Sequence, residues 1–338
     1  MIHVNLKDKF VQYEFDVRDK YTLLVGDSGC GKTTLHDLIT VYYAMPDTVQ
    51  CSGYGRLRPF PVLREQSELQ PILTGSRDFV YVIDEDNPVF GMHGYERLLE
   101  NSYNYFIIIT RDKEFRNLPI ALRSIVRLKN SGRYHTFEPV YKLREEASKF
   151  SMVITEDSGA GRKFLSQFLK NVRSAGSVLG LGTSGKDCIA PAILECKEDV
   201  CVVLDASGIG SSYGDIVEAI RISRQNVTLF AWDSFEGYVI DLPLYQGGVD
   251  ASYSCAYNSY EQYATAQLRH ILRAFPGMNY NKTSLPLCLR KKRCIECEKQ
   301  SECPYCSYGD GELLSTQLHG LMSSQSTGVI GSKSSVFG

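Results

Sequence analysis

Four groups of residues carry side chains whose types and spacing suit chemistry. The first is Gly26-Asp27-Ser28-Gly29-Cys30-Gly31-Lys32-Thr33, which fits the pattern G-x4-G-K-[ST] without a mismatch and is followed by Thr34. Its glycines let the backbone curl until successive N–H groups face one anion. Lys32 is placed to reach the β- and γ-phosphates of ATP, and the Thr33 hydroxyl to ligate Mg2+. A Gly-rich turn that meets a helix by chance is the plain alternative; the Gly-Lys-Thr positions make the match much more specific than that. The second group is Asp84-Glu85, directly after the apolar run Phe79 to Ile83. Asp84 is expected to hold the Mg2+ shell and Glu85 to polarise an attacking water, although strands often end in acids for no catalytic reason.

The third group is Glu156, with Asp157 beside it, and Asp205. Each follows a short β-like run, Met152 to Thr155 and Val200 to Leu204, so both acids are expected at strand ends. The fourth is Cys294, Cys297, Cys303 and Cys306, spaced C-x2-C-x5-C-x2-C. Two such knuckles offer four thiolates to one tetrahedral Zn2+, or to an iron–sulfur cluster. The spacer is shorter than the roughly 15–20 residues of a zinc ribbon, so a single compact knuckle is expected. Arg290-Lys291-Lys292-Arg293 adjoins it, either as a phosphate contact or as a solvated face.

The elements that must position these groups can be read from periodicity. Ile2 to Leu6 and Gln12 to Val17 alternate like paired strands, Tyr21 to Val25 is a buried strand, and Leu35 to Ala44 is helical until Pro46. Gln50 to Pro61 reads as a loop with a short strand. Tyr105 to Ile109 is another buried strand ending at Thr110-Arg111, either a γ-phosphate sensor or an ordinary strand end. Ile125 to Leu128 and His135 to Tyr141 form a closing hairpin. From Ser151 a β-α rhythm restarts: strands at 152–155, 177–181, 200–204 and 227–232 alternate with helices, giving four parallel strands. The turn Gly180 to Asp187 meets both a dinucleotide-binding and a P-loop template, each imperfectly, or is simply a tight strand-to-helix turn. Tyr260 to Ala274 is an amphipathic helix. The expected organisation is an α/β chain: a P-loop NTPase domain over 1–145, a smaller parallel α/β domain over 150–245, a helical and Cys-rich element over 250–322, and a tail over 323–338.

The first half resembles the ABC-type P-loop ATPases, including the overcoming-lysogenization-defect family. The resemblance rests on the antiparallel lead-in, GDSGCGKTT, VIDED and the late IIITR strand, over about residues 1–142. Leu73-Thr74-Gly75-Ser76 is a poor remnant of that family's signature loop. The second half resembles a Toprim domain in the order strand-Glu156, helix, strand-GTSGK, helix, strand-Asp205. The resemblance implies Mg2+ at Glu156 and Asp205 for phosphodiester chemistry. The second Asp of the Toprim pair is Ser207 here, so either Asp157 or Asp215 substitutes or the domain is catalytically dead. Together the two resemblances imply an ATPase tied to DNA or RNA processing in antiviral defence, or an ATPase switch whose second domain binds another protein or a second copy.

Composition narrows the setting. With 43% hydrophobic and 22% charged residues, the chain can bury ordinary cores. A net charge of −2 gives no global pull toward nucleic acid or membrane, so any nucleic-acid surface must be a local patch. No apolar run reaches the roughly 18 residues of a membrane span, so no membrane partner is expected. Eleven cysteines, one inside the P-loop pattern, argue against a disulfide framework and for a reducing cytoplasm.

Overall fold

The computed structural model describes residues 1–111, 115, 117–140, 151–157, 159–172, 178–180, 182–210, 212–240, 249–273, 280–283 and 328–330. The chain is mixed α/β and divides into two compact units, Met1–Tyr141 with Tyr253–Tyr260, and Lys142–Ser252 with Glu261–Gly338. Among the described residues no helix is long and apolar enough to cross a membrane.

In unit 1 the strands are β1 (Ile2–Lys7), β2 (Gln12–Val17), β3 (Tyr21–Val25), β4 (Gln50–Gly53), β5 (Leu57–Pro59), β6 (Arg77–Ile83), β7 (Tyr103–Thr110), β8 (Ile125–Ser131) and β9 (Tyr134–Pro139). They form one sheet in the order β4-β1-β2-β9-β8-β3-β7-β6-β5. From β8 to β5 every pairing is parallel. The hairpins β1–β2 and β8–β9 are antiparallel, as their alternation predicts. The helices are α1 (Lys32–Ala44), α2 (Gln66–Thr74) and α3 (Tyr95–Glu100). The loop with one short strand expected over residues 50–61 holds two, β4 at one sheet edge and β5 at the other.

Every residue of β3 is buried, which is why its sequence is continuously apolar rather than alternating. Its side chains divide between two cores. Leu24 joins Val80, Val82, Ile107 and Ile109 under Leu35, Leu38 and Ile39 of α1. Tyr21, Leu23 and Val25 join Tyr81, Phe106 and Ile108 under Leu69 and Leu73 of α2 and Leu98 and Leu99 of α3. Each such side chain contributes on the order of 1.5–3 kcal/mol on burial. The double burial fixes β3 as the rigid base of the loop that follows it.

Unit 2 is built on β10 (Met152–Thr155), β11 (Val178–Gly180), β12 (Val200–Asp205) and β13 (Val227–Trp232), with β14 (Gly328–Ile330) at one edge. The order is β11-β10-β12-β13-β14. The first four are parallel, as their β-α rhythm predicts, and β14 adds antiparallel within the stretch expected to be a tail. The helices are α4 (Ala160–Val172), α5 (Ile189–Glu195), α6 (Ser212–Ile222), α7 (Phe235–Ile240) and α8 (Tyr260–Arg273). Gly182–Cys188 is a 3-10 segment rather than the start of a helix, and Gly185 within it has φ 57°. The following α-helix starts only at Ile189, past both Gly185 and Lys186, so neither template opens directly onto an α-helix N-terminus.

Candidate functional site

The P-loop pattern forms the turn between β3 and α1. Gly31 sits at φ 100°, and a Cβ there would lie 3.2 Å from the Tyr13 hydroxyl oxygen, so both backbone and space demand glycine. Gly26, at φ 152°, is similarly confined by Cys30 Sγ at 3.1 Å. α1 begins at Lys32 with no side-chain cap and no acid in its first turn. Its first N–H groups and the positive end of its dipole are thus left for an anion.

Lys32 is buried and its ammonium turns back into the loop, donating to the Gly26 carbonyl and to the Asp27 carbonyl at 3.0 Å. Cys30 Sγ lies 3.5 Å from the same ammonium. The loop is braced by side chains from β2, β8 and β9. The Tyr13 hydroxyl donates to the Gly31 carbonyl at 2.9 Å, and the Asn130 amide donates to the Cys30 carbonyl at 3.3 Å. The Tyr13 ring stacks on His135, centroids 4.6 Å apart, and His135 Nδ1 lies 2.6 Å from Asn130 Oδ1. Burial raises the Tyr13 phenol to about 12, so it stays a donor, and burial lowers His135, favouring the neutral ring. Sequence reasoning read Tyr13 and His135 only as strand residues; the brace is invisible until β2 and β9 pair.

Asp84 and Glu85 follow β6, and Thr110 ends β7, which lies between β6 and β3. The β3–α1 loop, Thr110 and the acids therefore share the carboxyl edge of the parallel strands, where open α/β sheets bind ligands. Thr33 and Thr34 are exposed at the loop, so the Thr33 hydroxyl and the Asp84 carboxylate present oxygens that suit Mg2+. Arg111 Nε lies 3.0 Å from Glu85 Oε1, so the arginine that was a possible phosphate sensor is engaged with the acid.

In unit 2, Glu156 and Asp205 come together. β10 and β12 pair directly, with Thr155 opposite Val203, and the Glu156 carboxylate accepts the backbone N–H of Asp205. Trp232 Nε1 donates to Asp205 Oδ1 from the neighbouring strand. Two acids that the sequence did not single out join them electrostatically. Glu236, in the first turn of α7, is buried and accepts the Tyr280 hydroxyl at 2.5 Å. Glu261, in the first turn of α8, is paired with the Lys282 ammonium. Glu236 follows β13, so the rule that acids gather at strand carboxyl ends would have found it; nothing local marks Glu261.

The charges are poorly balanced. Burial, then the repulsion of Glu261, raises Glu156 to about 7 despite the Asp205 N–H and Lys186. Asp205 is pushed well above the carboxylate range by burial and by Glu156, Glu261, Glu236 and Asp157. Burial lowers Lys186, whose ammonium donates to the Gly208 carbonyl at 3.0 Å. Ser207 is buried, and its hydroxyl has no hydrogen-bond partner among the described residues.

The two replacement acids proposed for Ser207 are placed otherwise. Asp157 caps α4, accepting the Gly159 and Gly161 N–H groups at 2.6 and 2.7 Å. Asp215 lies exposed in the first turn of α6. An all-oxygen donor set fits a hard cation such as Mg2+ or Mn2+ by type. Among the described residues, however, no three or more His, Cys, Asp or Glu side chains stand in a metal-holding arrangement. Cys294, Cys297, Cys303, Cys306 and the adjacent basic run lie outside the described residues. Comparison with protein-family models, with curated proteins and with solved structures finds no match.

Proposed function

We propose that the protein binds and hydrolyses ATP at the β3–α1 loop and couples nucleotide state to nucleic-acid processing by unit 2. The observation that carries this reading is the geometry of the loop: glycines at positive φ, a helix N-terminus without a side-chain cap, and Lys32 turned into the loop against the Gly26 and Asp27 carbonyls and Cys30 Sγ, with no acid among its partners in the described residues. Gly26 to Gly31 donate backbone N–H groups to the phosphates and Lys32 neutralises their charge. Thr33 and Asp84 would hold Mg2+, which would supply positive charge against the phosphates. Glu85 orients the attacking water once Arg111 releases it. Tyr13 and Asn130 keep the loop open from behind. ATP turnover measured for the wild type, Lys32→Ala and Glu85→Gln tests this. Turnover unchanged in both variants would sink it.

For unit 2 the reading is metal-dependent phosphodiester cleavage, in which Glu156 and Asp205 would hold a divalent cation and the field of Glu236 and Glu261, not further ligation, would add the charge that Ser207 lacks. The cation would supply electrostatic stabilisation of the phosphate; binding it also relieves the repulsion that keeps Glu156 protonated near neutrality. A second reading is favoured by Ser207 and by the Lys282–Glu261 pair: unit 2 is a degenerate platform that binds another protein or a second copy, and the ATPase is its switch. Mg2+- or Mn2+-dependent cleavage of plasmid and single-stranded DNA by the wild type, lost in Glu156→Ala, selects the first. ATP turnover without cleavage selects the second. The four C-terminal cysteines complete the proposal as a Zn2+ site, checked by metal content of the purified chain before and after Cys294→Ser.

A further inference from the structure

Away from the phosphate cradle, unit 1 carries a continuous strip of guanidinium groups stacked on aromatic rings. The Arg58 guanidinium lies 5.3 Å from the Tyr43 ring centroid and 4.0 Å from that of Phe79. Arg56 lies 6.0 Å from the same Phe79 ring, and its Nη1 reaches the Arg77 carbonyl at 3.5 Å. Arg77 in turn lies 4.6 Å over Tyr103. The strip runs from the end of α1 across the edge strand β5 to the starts of β6 and β7. Tyr43 and Tyr103 are 53% and 47% exposed, far more than packing of a tyrosine against a core requires.

We infer that this strip binds single-stranded nucleic acid, with the three arginines on phosphates and the exposed tyrosines against bases. Three observations carry it. First, none of Arg56, Arg58 and Arg77 is paired with a carboxylate among the described residues, in a chain whose net charge is −2. Second, a guanidinium drawn to an aromatic ring keeps N–H donors for phosphate oxygens; of the three, only Arg56 uses one within the described residues, Nη1 on the Arg77 carbonyl. Third, the neighbouring acid is turned aside. The β6–β7 ladder shifts register between Arg77 and Val80, and Asp78 there adopts φ 59°, a left-handed conformation uncommon outside glycine. Its carboxylate meets Cys255 Sγ at 3.6 Å, leaving Arg77 on Tyr103. Alternating cations and exposed rings along a strand edge match a flexible strand whose bases are free to stack; in a duplex the bases already stack on one another.

The inference rests on the nucleic-acid part of the reading above and gives that partner a place on unit 1. It is tested by fluorescence anisotropy with labelled single-stranded DNA and RNA of mixed sequence, from about 50 to 200 mM salt. The full chain is compared with Arg56→Ala/Arg58→Ala/Arg77→Ala and with the single exposed change Arg77→Glu, which guards against a folding defect in the triple variant. The expected result is salt-sensitive binding. The triple variant should weaken it at least tenfold and flatten the slope of log affinity against log salt by about 2, at roughly 0.7 per phosphate contact on a single strand. Tyr103→Ala should weaken binding roughly tenfold without changing the slope. Equal affinity and slope in the wild type and the arginine variants overturns the inference, as does absence of binding. Displacement of the oligonucleotide by polyglutamate as effectively as by unlabelled DNA also overturns it, assigning the strip to an acidic protein. ATP turnover that responds to Lys32→Ala while no oligonucleotide binds leaves the ATPase reading standing and removes only this one.

Discussion

Asp19 in unit 1 and Asp205 in unit 2 are both buried aspartates, and their surroundings drive them in opposite directions. Burial alone would raise Asp19, but Arg123 at 3.0 and 2.8 Å, the Ser124 hydroxyl and the Tyr253 hydroxyl at 2.9 Å outweigh it, and the carboxyl sits below its ordinary value. Asp205 has Trp232 Nε1 as a donor and four acids within electrostatic range, and it is pushed up. The same residue type is pulled toward the ionised form in one unit and pushed toward the protonated form in the other. Burial sets the cost in both; the neighbours decide which side of the balance wins. A satisfied buried anion is a structural device, whereas an unsatisfied acid cluster at strand carboxyl ends is where ligand chemistry is to be sought.

Removing the satisfied anion should have the largest effect. Asp19→Ala removes the buried carboxylate that Arg123, Ser124 and Tyr253 share, so thermal or urea unfolding should show a loss toward the low end of about 3–5 kcal/mol, since Arg123 keeps some contact with water. A neutral result would mean that Asp19 does not hold residues 253–260 on unit 1. Next in size, Lys32→Ala should lower ATP turnover by about 10²–10³-fold, the scale for one lost charge-stabilising donor, with little change in stability. Turnover within a factor of two of wild type would remove Lys32 from the phosphate site.

The acid cluster should behave oppositely to Asp19. Glu156 has a folded value of about 7 against an ordinary 4.5, so its strain is absent below the ordinary value and stability is lost as pH rises toward and through about 7. Asp19, held low, stabilises above its ordinary 3.8 and loses that contribution as pH falls through its folded value. Amide exchange of β10 and β12 should therefore quicken between pH 5 and 8 relative to β3, and Glu156→Gln should slow it at pH 8, by about 1–3 kcal/mol. Millimolar Mn2+ should do the same for the wild type and not for the variant. A pH-independent ratio of exchange would show that the cluster is not under strain. The smallest effect is expected at the brace: Tyr13→Phe removes one hydroxyl donor from the Gly31 carbonyl and should weaken nucleotide binding by about 1 kcal/mol, read as a shift in Kd of roughly fivefold.

Local physics explains what was legible beforehand. The strands at 12–17, 21–25, 152–155 and 227–232 match their expected limits because each is a short β-branched or alternating run bounded by turn residues. Leu57–Pro59 was hidden because three residues among glycines and prolines carry no period; parallel pairing with β6 makes them a strand. Helix α2 contains Pro71 and was equally obscured. The turn at Gly180 to Asp187 matched nucleotide motifs by letter, while the backbone there is 3-10 and Lys186 is turned toward the Gly208 carbonyl.

By itself the sequence determined what depends on neighbours along the chain: the glycine spacing of the β3–α1 loop, the buried run of β3, the parallel β-α rhythm of unit 2, and acids at the ends of β6, β10 and β12. These follow from backbone sterics and side-chain period, which act over a few residues. Only the tertiary structure decided which side chains brace the loop, that Glu236 and Glu261 join Glu156 and Asp205, that Asp157 is taken by a helix cap, and that Asp19 is neutralised while Asp205 is not. Electrostatic and packing interactions act through space, so they couple residues as far apart in sequence as Asp205 and Glu261, and no local pattern encodes them.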